Sequence, residues 1–301
     1  PYSLGFRKAL KLTNGNQTGG AGSSDYVLTR YKVEAQDIAS SGWNYTSSSS
    51  YITLSFWIKS SVAQNFRFNL IAADGTSQNY AYETGSLSAD TWTKVTKTIP
   101  GASNVQFDND NGVGLQLDFW AFAGTAYTDS SVTLNQWAAY SSGTRMPDHT
   151  STWYTTNDAT LEITGVQLEV GSVATPFEHR SIADELARCQ RYYYVHAEGD
   201  NKVVGQATVY QNNDIFLIIY PTVTMRTTPT VEQETGTNYY RMYHNGGYDS
   251  FDSWGSTWNI QPNVLSLNAN ASQGVSVSGG GDSTMIITSQ SGAKISFSAE
   301  I

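Results

Sequence analysis

The densest candidate chemistry lies between Asn238 and Trp258. Seven aromatic residues stand in these 21 positions: Tyr239, Tyr240, Tyr243, Tyr248, Phe251, Trp254 and Trp258. Short polar residues are mixed among them, namely Asn245, Gly246, Gly247, Asp249, Ser250, Asp252 and Asn259. Flat rings cover the apolar face of a sugar, and small polar side chains take its hydroxyls. The run is therefore a candidate glycan site, with Tyr243, Tyr248, Trp254, Asn245 and Asp249 as the expected contacts. Strand alternation buries some of any such set, so packing in a core or at a subunit contact competes for the same rings. Tyr239 and Trp258 lie nearest the flanking strands and are assigned to the core. Gly246-Gly247 allow close approach of backbone to a ligand, so the segment is expected as exposed loops at a free end of its domain.

Other chemistry is weaker. Trp137, Trp153 and Tyr154 form a second, lower-ranked aromatic candidate. Polysaccharide hydrolysis needs two carboxylates about 5–9.5 Å apart. Asp249 and Asp252 could meet, but no motif supports them. The loop Phe107-Asp108-Asn109-Asp110-Asn111-Gly112 looks like a calcium loop. Counting back from Gly112 puts Phe107 at the first ligand position, where phenylalanine cannot ligate, so a solvated turn is preferred. His149, His179, His196 and His244 are scattered without metal-ligand spacing. No nucleophile elbow or phosphate loop is present. No metal, cofactor or catalytic residue is assigned.

The elements that must position these residues are strands. Ile52, Leu54, Phe56 and Ile58 alternate with Thr53, Ser55, Trp57 and Lys59. Phe66, Phe68 and Leu70 repeat the pattern, as do Leu115, Leu117, Phe119 and Ala121. Asp214 to Tyr220 is apolar on both faces, which predicts a strand buried twice, or once in the chain and once at a subunit contact. Ile295, Phe297, Ala299 and Ile301 alternate to the last residue, so that end is expected in a sheet. Hydrophobic residues are 39% and charged residues 14% of the 301, a balance suited to β-sandwiches with polar loops.

Charge excludes one class of partner. Residues 1–178 carry 10 basic and 15 acidic side chains, 179–194 carry 3 and 2, and 195–301 carry 4 and 9. No basic stripe exists, which argues against nucleic-acid binding. No apolar run is long enough to span a membrane. Cys189 is the single cysteine, so no intrachain disulfide forms.

One stretch joins the two β-rich halves, Ala159 to Val195. Leu161 and Ile163 have odd numbers, whereas Val166, Leu168 and Val170 have even ones. A strand keeps one face only if an extra residue intervenes, so a bulge is predicted at Thr164-Gly165. Glu162, Gln167 and Glu169 then share the wet face. A helix follows, with Ser181 as N-cap and Asp184 at capping-box spacing. Ile182, Leu186, Cys189 and Tyr193 make one apolar stripe. At about three turns the helix needs that stripe buried, and an oligomer interface is the candidate. Cys189 is expected to be buried and inert.

The run GVQLEVGSVATPFEHRSIADELARCQRYY closely resembles a linker of tail-fibre and related virion structural proteins of bacteriophages, especially those of marine and other aquatic phages. ITLSFWIKSS, TWTKVTKTIPG and NGVGLQLDFWAFAG resemble strand motifs of a carbohydrate-binding-module-like jelly roll in the same family. PTVTMRTTPTV and the terminal FSAEI resemble its C-terminal β-domain. Thr235 to Ser283 carries no such resemblance.

The resemblance and the strand pattern together predict an all-β chain. Residues 1–178 form a jelly roll or β-sandwich, 179–194 a linking helix, and 195–301 a C-terminal β-sandwich that contacts the host. The resemblance implies a non-enzymatic virion protein on an exterior appendage, the distal part of a tail fibre. It implies a homotrimer, partnered by other virion proteins and a host surface glycan. The alternatives are a capsid-attached fibre or decoration protein, and a polysaccharide depolymerase. The chain starts at Pro1 rather than methionine, and a preceding virion-docking portion is expected.

Overall fold

The computed structural model describes residues 1–16, 19–255 and 260–300, in two compact units, Pro1–Glu178 and His179–Ile301. The first unit contains β1 (Leu10–Thr13), β2 (Tyr26–Glu34), the short helix α1 (Ala35–Ala39), β3 (Tyr51–Ser60), β4 (Asn65–Ala72), β5 (Gln78–Ser86), β6 (Thr93–Pro100), β7 (Val113–Ala123), β8 (Trp137–Ala139) and β9 (Thr160–Val170). Its strands form a four-stranded sheet, β1-β9-β3-β6, and a five-stranded sheet, β2-β7-β4-β5-β8, both antiparallel. The alternating residues of β3, β4, β7 and β9 meet in one core. Leu54, Phe56 and Ile58 from one sheet and Phe68 and Leu70 from the other are fully buried. Burying each such side chain stabilises the fold by about 1.5–3 kcal/mol before entropy is counted.

The β9 bulge forms where the parity of its apolar residues changes. Ser55 pairs with Gln167 and Trp57 with Thr164, so Gly165 and Val166 together oppose Phe56. Gly165 has φ +60, a conformation an L side chain rarely adopts. The ring of Phe6 lies directly over it, where any Cβ would collide.

The second unit contains α2 (Ile182–Gln190), β10 (Tyr193–Glu198), β11 (Val203–Gln211), β12 (Asp214–Ile219), β13 (Thr230–Gln233), β14 (Tyr240–His244), β15 (Gly247–Phe251), β16 (Leu265–Asn270), β17 (Ser283–Thr288) and β18 (Lys294–Ser298). A six-stranded sheet runs β15-β14-β17-β11-β12-β16, and a three-stranded sheet runs β10-β18-β13. The core takes Val209, Ile215, Leu217, Met242, Leu267 and Ile286 from the first and Ile295 and Phe297 from the second. The chain is thus an all-β protein of two sandwich-like units. β18 is the centre of its sheet, and Ala299 N–H donates to Tyr192 O at 2.7 Å, which ties in the C-terminal segment. Ile301 lies outside the described residues.

The helix departs from expectation in two ways. It stops at Gln190, and Tyr193 opens β10 instead of extending the apolar stripe. Consecutive tyrosines and Val195 favour extended backbone, and β18 supplies a strand to pair with. The stripe is also uncovered within the chain: Ile182 is 87% exposed, and Leu186 and Cys189 are exposed too. The expectation of a buried, inert Cys189 is therefore wrong for the single chain. The N-cap does form, with Asp184 N–H donating to Ser181 Oγ at 3.1 Å and Ser181 Oγ–H to the Asp184 carboxylate at 2.6 Å.

Candidate functional site: an aromatic hairpin on the outer sheet face

The aromatic run folds as a hairpin, not as loops. β14 and β15 pair through Tyr240↔Phe251, Met242↔Asp249, Tyr243↔Tyr248 and His244↔Gly247. Only Asn245 and Gly246 remain for the turn, with φ of +47 and +76. Positive φ at both positions is the type I′ geometry that Asn-Gly favours. The glycine serves the turn rather than a ligand.

Pleating then divides the rings. Tyr240 and Phe251 point inward and stack at 5.4 Å between centroids. Trp254 packs edge-on against Phe251 at 5.2 Å and is only 3% exposed. Gln233 clamps it, accepting from Trp254 N–H at 2.8 Å and donating to its carbonyl at 2.7 Å. Trp254 is therefore a core residue, and its assignment as a glycan contact is corrected. Asp249 also leaves the candidate site. It pairs with inward-facing Met242, and its carboxylate accepts from Ser276 N–H at 2.7 Å. Tyr239 packs partly buried against the core, as expected. Trp258 and Asn259 lie outside the described residues.

Tyr243, Tyr248 and Asn245 stay together. The two rings meet edge to face with centroids 6.1 Å apart, and Tyr248 is 61% exposed. Sequence reasoning missed Arg241. It stands two residues before Tyr243 on the same face, with its guanidinium carbon 4.5 Å from the Tyr248 centroid. The signal was available: Asn-Gly sets the hairpin register, and register puts 241, 243, 248 and 250 on one face. The corner offers exposed ring, guanidinium donors and the Asn245 amide. That set suits stacking on a sugar ring and bonding of its hydroxyls.

The alternative chemistry finds less support. Asp252 Oδ1 accepts from Asn238 N–H at 2.8 Å, so it and Asp249 are each held by backbone donors. Phe107 is buried against Trp43 and Tyr45, and Asp110 closes its own turn by accepting from Gly112 N–H. Among the described residues no group of three or more His, Cys, Asp or Glu is placed to hold a metal. No helix among them is long and apolar enough to cross a membrane.

The N-terminal aromatic candidate does not assemble. Trp153 is fully buried, Trp137 packs on Tyr80, and Tyr154 packs on Phe122. The outward face of the five-stranded sheet around Trp120 is instead covered by its own chain. Arg145 lies over Trp120 and Tyr127 at 5.4 and 5.2 Å, and its carbonyl accepts from Asn79.

The linker-like run acts structurally. Gln167 Oε1 accepts from Glu178 N–H at 2.8 Å, and Glu169 accepts from Thr175 N–H at 2.6 Å. These bonds fold the segment after β9 back onto the strand. Phe177 then meets Phe6 edge-on at 5.0 Å, beside the Gly165 bulge.

No protein-family model matches the chain, and no curated protein does. Solved structures similar to it include the N-terminal CBM22-1-CBM22-2 tandem domain from Paenibacillus barcinonensis Xyn10C, at 9% identity over 98% of each chain with a TM-score of 0.20. Another is the T=1 Penaeus vannamei nodavirus, at 9% identity over 97% of each chain with a TM-score of 0.18. At those scores neither likeness carries an inference about function.

Proposed function

We propose that the chain is a non-enzymatic structural protein of a bacteriophage virion, the distal part of a tail fibre, which contacts a host surface glycan through the β14–β15 hairpin. Tyr248 and Tyr243 supply ring surface, and Arg241 and Asn245 supply hydrogen bonds. The observation that carries this reading is the exposure of Tyr248 beside Arg241 on a rigid two-residue hairpin. The resemblance of the linker-like run to virion structural proteins supports the virion assignment, and its Gln167 and Glu169 hold local backbone. We further propose a homotrimer joined to other virion proteins. Three copies of a weak sugar site raise avidity by orders of magnitude.

The test is adsorption of phage carrying Tyr248→Ala. The side chain is largely exposed, so folding is expected to be unchanged while adsorption falls at least tenfold. Normal adsorption with Tyr248→Ala and Tyr243→Ala would place the receptor contact elsewhere.

A further inference from the structure

Asparagine followed by glycine occurs three times in the chain, at Asn14-Gly15, Asn111-Gly112 and Asn245-Gly246. Such a pair can close on itself. The glycine backbone nitrogen attacks the side-chain amide carbon of the asparagine, and the missing Cβ leaves that approach open. Closure needs an amide free to rotate, a glycine N–H not already donated, and backbone able to bring the two together.

Two of the pairs are held. Asn14 Nδ2 donates to the carbonyls of Trp153, Tyr154 and Thr156 at 2.8, 2.6 and 2.8 Å, and Gly15 O accepts from Asp158 N–H at 2.7 Å. At the second pair the nucleophile is taken. Gly112 N–H donates to Asp110 Oδ1 at 2.8 Å, and Gly112 O accepts from Ala35 N–H at 3.0 Å. The third pair differs. Asn245 and Gly246 are both exposed at the hairpin tip. Among the described residues, neither the Asn245 amide nor the Gly246 N–H has a hydrogen-bond partner. A Cβ built on Gly246 would meet nothing within 4 Å, so the turn has room to move. β15 is also the outermost strand of its sheet, so the tip opens by local fraying at the edge.

We propose that Asn245 is a site of spontaneous deamidation, and the one pair of the three that reacts in the folded protein. Hydroxide takes the Gly246 amide proton, and that nitrogen bonds to Asn245 Cγ. The Cγ–Nδ2 bond breaks, and Nδ2 leaves as ammonia after taking a proton from water. Water then opens the five-membered succinimide. Breaking the new N–Cγ bond gives aspartate at 245. Breaking the bond from nitrogen to the main-chain carbonyl carbon gives isoaspartate, whose backbone runs through Cβ and Cγ. The sum is amide plus water giving carboxylate plus ammonium, with no change of oxidation state.

The two products act differently on the hairpin. Asp-Gly suits a type I′ turn as Asn-Gly does, so aspartate keeps it. Isoaspartate adds a backbone carbon to a two-residue turn, and turn length sets the register that holds Tyr243 opposite Tyr248. Either product replaces amide donors with a carboxylate that only accepts. The effect on binding rests on the glycan reading above, whereas the reaction itself does not.

The experiment is incubation of the full chain in mildly alkaline buffer at physiological temperature, with peptide mapping by mass spectrometry at intervals. Asn245 is expected to convert roughly tenfold or more faster than Asn14 and Asn111, because each held pair must first open locally. In urea-unfolded chain the three rates are expected to converge. A folded-state rate at Asn245 no higher than at the other two would overturn the proposal. Ion exchange gives a second readout, since conversion adds one negative charge. Asn245→Gln would have to close a six-membered ring, so the new peak is expected to vanish, and its persistence would count against Asn245. Adsorption that stays normal in aged particles with residue 245 converted would support the modification and place the glycan contact elsewhere.

Discussion

The guanidinium carbon of Arg241 stands 4.5 Å from the ring centroid of Tyr248, across the β14–β15 pair. A cation over an exposed ring contributes about 0.5–1 kcal/mol, so Arg241 orders that ring before any ligand arrives. Arg241→Ala is expected to weaken glycan binding by roughly three- to fivefold, chiefly through lost order of Tyr248. Contact rests on stacking and on hydrogen bonds to uncharged sugar hydroxyls, so affinity should change less than about twofold between roughly 0.05 and 0.5 M salt. Titration of the glycan against wild type and variant at both salts checks each part. A steep salt dependence would mean an ionic receptor contact instead.

Trp254 should behave in the opposite way to Tyr248. It is buried among Tyr240, Phe251 and Gln233, so Trp254→Ala is expected to cost about 3–5 kcal/mol. Tyr248→Ala should stay within about 1 kcal/mol of wild type, the worth of its contact with Arg241. Urea unfolding of the two variants measures both values. Equal costs would contradict the division into buried and exposed rings.

Gly165→Ala would put a Cβ 2.3 Å from Phe6 Cζ at a backbone φ of +60. The expected loss is about 2–5 kcal/mol from backbone strain and overpacking together. The same substitution in a Phe6→Ala background should cost less, because the steric part is relieved. Denaturant midpoints of the four proteins in this cycle give the answer.

Cys189 is exposed in the single chain, so unassembled chain should react with a thiol reagent about as fast as denatured protein. Comparison with the assembled wild type tests α2. Protection on assembly would put the stripe of Ile182, Leu186 and Cys189 in a subunit contact, and equal rates would leave it outside one.

Stability should fall as pH drops below about 6.5. Burial holds His196 below its ordinary value of 6.5, against a hydrogen bond with Val204 O that acts the other way. Burial lowers His149 too, helped by the charge of Arg67. A histidine with a depressed value binds fewer protons folded than unfolded. Its contribution is complete above the unfolded value and declines as pH falls through it toward the folded value. Melting temperatures between about pH 7 and pH 5 should decline, and less steeply in His196→Gln. An identical slope in that variant would remove His196 from the account.

Much of this architecture could be read from residue order. Alternation along Ile52–Ile58, Phe66–Leu70 and Leu115–Ala121 named core residues that are buried in the fold. The parity change between Ile163 and Val166 located the bulge, and Ser181 and Asp184 located the helix start. These signals are local, because a strand face repeats every two residues and a cap acts within one turn. Asn245-Gly246 was equally local, and reading it as a hairpin would have separated Tyr248 from Tyr240 and Phe251 without any coordinates.

What order alone left open was which faces are covered. The apolar outward residues of β12 and the stripe of α2 have the composition of buried surface, yet Ile218 and Ile182 lie open in the chain. Periodicity reports that a face is apolar and not what covers it. Cover depends on elements far apart in sequence, as when Arg145 closes over Trp120 or Gln233 clamps Trp254. Local pattern determined the strands, the bulge and the cap of this protein. Only the tertiary arrangement decided which rings fill its core and which stand free, because burial follows from long-range packing that no short stretch of sequence encodes.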